Sequence, residues 1–228
     1  MTDDAPLNRY QLAELGGLLA EPARAAMLLA LADGTARPAG ELAMLAGVAA
    51  ATASAHLRRL LEGGLLALHV QGRHRYYRLA DERIAAMLES LALARVPPTR
   101  ALPGKGDAQL RRARYCYRHL AGELGVAFCA TLLRRGWLQT DTRGLRLLPA
   151  GVAALSSGGL DLTNVPRAWG RTCVDWTERR MHLGGALGVG LTGAMLGAGW
   201  LKRSPHGRML LPSATGLRGL GDLGVDID

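Results

Sequence analysis

Residues 37–80 constrain this chain more than any other stretch. They read RPAGELAMLAGVAAATASAHLRRLLEGGLLALHVQGRHRYYRLA. The pattern predicts a short apolar helix over Ala39–Ala46 and a turn at Gly47. A second helix is predicted over Ala50–Glu62, stopped by Gly63-Gly64. A strand, an arginine-rich hairpin tip and a returning strand follow. Leu57, Leu60 and Leu61 recur at spacings of three and four, so one face can anchor the second helix to a core. Thr52, Ser54, Ala55 and Arg58 then fall largely on the outer face. This order, two helices across a tight turn and then a two-stranded wing, is a winged helix-turn-helix. Few folds need it, and most of those hold DNA.

The outer face of the second helix has the chemistry for a groove. Small and hydroxyl residues near its start let the backbone approach closely, and cations can reach phosphates or guanine edges. The candidate contacts on this helix are Thr52, Ser54, His56, Arg58 and Arg59. In the hairpin they are Arg73, Arg75 and Tyr76, suited to a neighbouring minor groove or phosphate strand. A solvated basic hairpin beside an ordinary helical pair would show either part alone. The two in this order point to double-stranded DNA.

Ala49-Ala50-Ala51-Thr52-Ala53-Ser54-Ala55-His56-Leu57 resembles the Ser-x-x-Thr-x-Ser-x-His-Leu recognition helix of the ArsR family of bacterial repressors, with Ala49 in place of the first serine. Gly72-Arg73-His74-Arg75-Tyr76-Tyr77-Arg78-Leu79 resembles the family's wing, and the stretch Leu19–Leu31 its opening helix. The resemblance spans roughly residues 8–95. It implies a homodimer held by the first and last helices of the domain, two recognition helices in successive major grooves, and repression relieved by an inducer. The chain also departs from the family. The helix before the recognition helix, Glu41-Leu42-Ala43-Met44-Leu45-Ala46, has no cysteine, and Asp81–Glu89 has no histidine. Neither of the family's familiar metal sites carries over, so any sensor lies elsewhere.

Charge and cysteine usage divide the chain. Residues 1–106 hold 12 Lys+Arg against 10 Asp+Glu, whereas residues 107–228 hold 16 against 9. The more basic half also contains all three cysteines and all four tryptophans. The predicted DNA reader therefore sits in the less basic half, and the remainder reads as a separate module. Three cysteines do not make a disulfide framework, and the N-terminus opens with Asp3 and Asp4 rather than a signal peptide. With no long apolar run, these features predict a cytoplasmic chain with no membrane partner.

The predicted fold is α+β, mostly α. A winged helix-turn-helix and dimerisation domain covers 1–95, and a Pro/Gly-rich linker covers 96–107. A sensor domain covers 108–228. Within it, an internal repeat sets the stretch from His119 over the stretch from His182, at an offset of 63. Gly136-Trp137 and Gly199-Trp200 coincide, as do Pro149 and Pro212. Each copy (119–155 and 182–220) reads as a helix starting at the histidine, a Gly-Trp stop, a hairpin and a short helix. We expect two similar helix–hairpin–helix units about a pseudo-twofold axis.

Cys116-Tyr117-Arg118-His119 is a Cys-x-x-His, read here as one helical face that can direct both side chains at one ion. Cys173, Asp175 and His182 supply a second thiol, a carboxylate and the repeat partner of His119. Together they would suit a zinc-like or soft metal ion. Four uses remain open at this point: structural packing, a metal, an oxidant acting on Cys116 and Cys173, or a small organic inducer between Trp137, Trp169, Trp176 and Trp200. Cys129, opposite Thr192 in the repeat, reads as core. No catalytic residues are predicted. Ser156-Ser157 reads as a small loop without a partner base. The alternative is a thiol-dependent enzyme or ligand-binding protein with an appended winged module, with Cys173 between Arg171 and Arg179 as its nucleophile.

Overall fold

A computed structural model describes residues 8–72, 74–93, 105–166, 169–205 and 207–226. The chain divides into two compact units, Met1–Ala85 and Ala86–Asp228. The division falls within a helix, ahead of the predicted linker. Residues 96–104 of that linker lie outside the described residues, and a helix already begins at Lys105.

The first unit comprises α1 (Arg9–Leu19), α2 (Pro22–Leu31), β1 (Arg37–Pro38), α3 (Ala39–Ala46), α4 (Ala50–Glu62), β2 (Leu66–Gln71), β3 (His74–Leu79) and the start of α5 (Glu82–Leu93). Its three-stranded sheet has the order β1-β3-β2. β2 and β3 are antiparallel, with Leu66 opposite Leu79 and Gln71 opposite His74. Ala53, Leu57 and Leu60 are buried along one stripe of α4, against a core containing Met27, Leu28, Leu31 and Leu42. Gly47 ends α3 at φ +65°, a left-handed conformation that a β-carbon disfavours, and this makes the tight turn into α4. By contrast no residue of α1 is fully buried among the described residues: Leu15, Leu18 and Leu19 are half-buried, and Tyr10 and Leu12 lie exposed.

The second unit continues with α6 (Lys105–Arg112), β4 (Arg114–Cys116), β5 (His119–Ala121), α7 (Gly122–Arg134), β6 (Leu138–Asp141), β7 (Gly144–Leu147) and α8 (Pro149–Ser157). Then come β8 (Arg171–Val174), β9 (Met181–Gly184), α9 (Gly185–Gly197), β10 (Leu201–Arg203), β11 (Leu210–Pro212) and α10 (Ala214–Asp222). Among its described residues there are four sheets, each a two-stranded antiparallel hairpin. The core runs through α7 and α9, with Leu124, Phe128, Leu132, Leu187, Leu191 and Met195 buried together. Among the described residues no helix is long and apolar enough to cross a membrane.

Two local expectations are corrected. His119 and His182 do not start helices: each lies in a strand, and the helices begin three residues later, at Gly122 and Gly185. The cause is a left-handed residue at each junction. Gly122 sits at φ +81°, and a β-carbon there would lie 2.3 Å from the Arg111 carbonyl oxygen. Ser156 and Ser157 belong to the last turn of α8, not to a loop.

Candidate functional site

The structure offers two separate sites, one in each unit. In the first, α4 presents Thr52, Ser54, Arg58 and Arg59 to solvent. The Ser54 hydroxyl donates to the Ala50 carbonyl at 2.9 Å, so it stays close to the helix surface. Arg58 and Glu62, both exposed, are 4.0 Å apart, a weak pairing that leaves the guanidinium available. Arg75 is exposed near the tip of the β2–β3 hairpin, while Tyr76 is half-buried. Arg73 lies outside the described residues. His56 differs from the expectation. It is half-buried, and its Nδ1 lies 3.4 Å from the Arg24 guanidinium. Arg24 is itself buried and donates to the Leu18 and Gly17 carbonyls at 2.7 Å each, capping the end of α1. His56 thus ties α4 to the scaffold on this side.

The second site lies in the other unit, where two hairpins meet. Cys116 and His119 are cross-strand partners in β4–β5, and Cys173 and His182 are cross-strand partners in β8–β9. The Cys-x-x-His is therefore a tight β-turn pair, not a helical face. Directly opposed residues project to the same side of a sheet, so each hairpin extends a sulfur and an imidazole together. The turn that brings Cys116 and His119 opposite places Tyr117 at φ +59°, a conformation a bulky residue seldom adopts.

The four side chains converge. The Cys116 and Cys173 sulfurs are 3.7 Å apart, and the His119 and His182 Nε2 atoms 3.1 Å apart. All four donor atoms lie within 4.8 Å of one another. Cys116, His119 and His182 are buried, while Cys173 is half-buried. Gly184 makes room for this arrangement: a β-carbon there would come within 3.1 Å of the His119 ring. Burial holds the His119 imidazolium form unfavourable, with the neighbouring His182 adding to the effect, so its pKa falls. The two thiols form one coupled pair. Sharing a hydrogen bond, with the imidazoles also facing Cys173, lowers the Cys173 value and raises that of Cys116. Cys129 stands apart in α7, where burial alone pushes its thiol up to about 11.

Asp175 does not join the four donors. Its Oδ1 accepts from Arg114 at 2.8 Å and from the Thr177 hydroxyl at 2.6 Å, and its Oδ2 accepts from the Gly122 amide at 2.7 Å. Neither Arg114 nor Asp175 has an exposed side chain. Burial on its own would raise the carboxyl pKa. The Thr177 hydroxyl, the Arg114 charge and the Gly122 amide outweigh it and hold the group well below the usual carboxylate range. Asp175 Oδ2 lies 4.0 Å from His182 Nδ1. That separation is beyond hydrogen-bond reach, and His182 Nδ1 is buried with no hydrogen-bond partner among the described residues. Sequence reasoning missed Arg114, because nothing in its local pattern separates it from the other arginines near it.

Among the described residues, three of the tryptophan rings each face a different arginine set and one is core. Trp200 is buried, and its ring lies where a β-carbon on Gly219 would stand 2.4 Å away. Trp176 faces the Arg114 guanidinium at 4.8 Å, and Trp169 faces Arg143 at 4.4 Å. The cavity between Leu120, Phe128, Leu191 and Met195 holds about 10 Å³, at most a single water.

Comparison with known proteins bears on both units. A family model described as "Helix-turn-helix domain" matches residues 19–69. The chain is 39% identical over 210 residues to the HTH-type transcriptional regulator YdfF of Bacillus subtilis, covering 90% of this chain and 93% of that protein. It is 41% identical over 80 residues to the HTH-type transcriptional regulator CmtR of Mycobacterium tuberculosis, covering 35% of this chain and 67% of the relative. Among solved structures, the homodimeric winged helix-turn-helix DNA-binding domain of Mb0332 from Mycobacterium bovis aligns over 40% of this chain and 86% of its own. The identity is 31% and the TM-score 0.35. The cadmium metal-sensor CmtR of M. tuberculosis aligns over 41% of this chain and 98% of its own, at 35% identity and a TM-score of 0.32.

Proposed function

The chain belongs to the ArsR family of winged helix-turn-helix transcriptional regulators, and from that premise we propose that it is a homodimeric repressor whose inducer is a zinc-like divalent metal ion. The ion would be held by Cys116, His119, Cys173 and His182, in the second unit. α4 would enter the major groove with Thr52, Ser54, Arg58 and Arg59, and Arg75 would reach the flanking backbone. His56 would position α4 through Arg24. The exposed face of α1 supports a dimer seam there, since Tyr10 and Leu12 are mostly exposed among the described residues.

The observation that carries the metal reading is the pair of short donor distances. A tetrahedral ion with sulfur at about 2.3 Å and nitrogen at about 2.0–2.1 Å needs S···S edges of about 3.8 Å and N···N edges of about 3.3 Å. The two sulfurs are 3.7 Å apart and the two nitrogens 3.1 Å apart. The widest pair, at 4.8 Å, would close by about 1 Å to reach a tetrahedral edge. Two thiolates around a divalent ion also leave the buried centre neutral, whereas a monovalent ion would leave a net negative charge in it. With four protein donors the site is closed, which suits holding an ion rather than catalysis at one.

We also infer that the second unit arose by internal duplication. Support comes from its element order, hairpin, helix, hairpin and helix in β4 to α8 and again in β8 to α10. Each copy would then contribute one Cys–His pair, and the site would exist only where the copies meet.

The test is fluorescence anisotropy of a fragment from upstream of the chain's own gene, with and without zinc. Zinc should release the wild-type protein, whereas Cys173→Ser should bind DNA normally and ignore zinc. A Cys173→Ser variant that still responds to zinc would refute the assignment.

A further inference from the structure

We propose that Cys116 and Cys173 also form a reversible disulfide when the metal-free chain meets a hydroperoxide, so that the unit answers an oxidant as well as an ion. The inference does not depend on the metal reading. It rests on where the two sulfurs lie and on what surrounds each of them.

The sulfurs are in contact at 3.7 Å, although 57 residues separate them in sequence. A disulfide bond is about 2.05 Å long, so closure needs an approach of under about 2 Å, within reach of small side-chain rotations. The third thiol cannot compete from its place, because Cys129 is buried in the middle of α7. The paired thiols also differ in access. Cys116 is buried at 2% exposure, in a strand buried along its whole length. Cys173 is half-buried in β8, between exposed Thr172 and Val174. A small peroxide therefore reaches Cys173 first, and Cys116 waits behind it.

The chemistry then runs in two balanced steps. The Cys173 sulfur attacks the terminal oxygen of the hydroperoxide. The S–O bond forms as the O–O bond breaks, and the thiol proton leaves with the alkoxide as an alcohol. This yields a Cys173 sulfenic acid: the sulfur is oxidised and the peroxide reduced. The Cys116 sulfur next attacks the Cys173 sulfur. The S–S bond forms, the S–O bond breaks, and hydroxide departs with the Cys116 proton as water. The whole consumes two thiols and one hydroperoxide, giving one disulfide, one alcohol and one water. Because both sulfurs are consumed, the oxidised chain would lack two of the four donors proposed for the ion, making metal and oxidant mutually exclusive signals.

The experiment uses the full chain, stripped of metal by a chelator and exposed to stoichiometric cumene hydroperoxide. Free thiols should fall from the three present to one, and dithiothreitol should restore all three. Peptide mapping without reduction should find Cys116 joined to Cys173 within one chain. In Cys116→Ser, dimedone should label Cys173, because the resolving thiol is gone. Three thiols still free after oxidation, a bond involving Cys129, or a bond between chains would each overturn the proposal. Zinc titration of the same preparations is scored separately. A chain that takes no zinc but forms this disulfide removes the metal reading and leaves this one standing.

Discussion

The proposed DNA-reading surface and the thiol–imidazole cluster are built in opposite ways. The first is a single thirteen-residue helix, α4, whose buried stripe and exposed face alternate within one run of sequence. The second draws one pair from β4–β5 and one from β8–β9, with 57 residues between its sulfurs and 63 between its imidazoles. A local surface tolerates loss of one contact with a graded effect. A site assembled across a core depends on what holds the two hairpins together, and the buried Arg114–Asp175 pair spans them. Arg114 opens the first hairpin, and Asp175 follows the last residue of β8. The largest expected effect is therefore structural. Asp175→Asn should cost about 3–5 kcal/mol in urea denaturation of the second unit, since it strands a buried guanidinium. A loss below about 1 kcal/mol would mean that the hairpins are held by apolar packing alone.

The same residue gives a pH dependence of known sign. Its folded pKa is depressed, so its contribution is complete above the ordinary carboxylate value near 3.9 and is lost as pH falls through the lowered folded value. Urea midpoints of the wild type should fall below about pH 4 more steeply than those of Asp175→Asn. Parallel curves would assign the acid sensitivity elsewhere.

Metal affinity comes next. Thr177→Ala removes a hydroxyl that fixes Asp175 without touching any of the four donors. Competition with a chromophoric chelator should show zinc affinity falling by at most about tenfold, because Thr177 acts one contact further out than a ligand's own hydrogen-bond partner, while the fold is retained. On the DNA side two effects should be separable. Arg59→Ala should weaken binding and reduce the slope of log affinity against log salt by about one if it contacts a phosphate. Thr52→Ala should leave the slope alone and relax sequence preference by about 1–3 kcal/mol at one base pair. If both variants changed the slope alike, α4 would be a non-specific face.

Much of the first unit was legible because its signals are local. The spacing of Leu57 and Leu60, the left-handed Gly47 and the Gly63-Gly64 stop each act within a few residues, and both helix bounds of the motif agree with the sequence reading. His56 has a neighbour, Arg24, 32 residues away that no local pattern reveals. In the second unit the sequence named Cys116, His119, Cys173, Asp175 and His182, and four of these converge, although the Cys-x-x-His reads in sequence as one helical face. A Cys-x-x-His fits a helical turn and a tight hairpin equally well, and only the Arg114-to-Cys116 and His119-to-Ala121 pairing distinguishes them. Asp175 was named for its carboxylate, yet its two oxygens are already taken by Arg114, Thr177 and Gly122. Chemistry-bearing residue types can be read from a sequence. Which of them are already satisfied depends on long-range contacts.

X-ray absorption at the zinc edge, on the full chain loaded with one equivalent of zinc, tests most directly whether the second unit holds a metal centre built from both hairpins. The expected first shell is two sulfurs at about 2.3 Å and two nitrogens at about 2.0–2.1 Å, falling to one sulfur in Cys173→Ser. A shell of nitrogen and oxygen only, or one unchanged in Cys173→Ser, would contradict it.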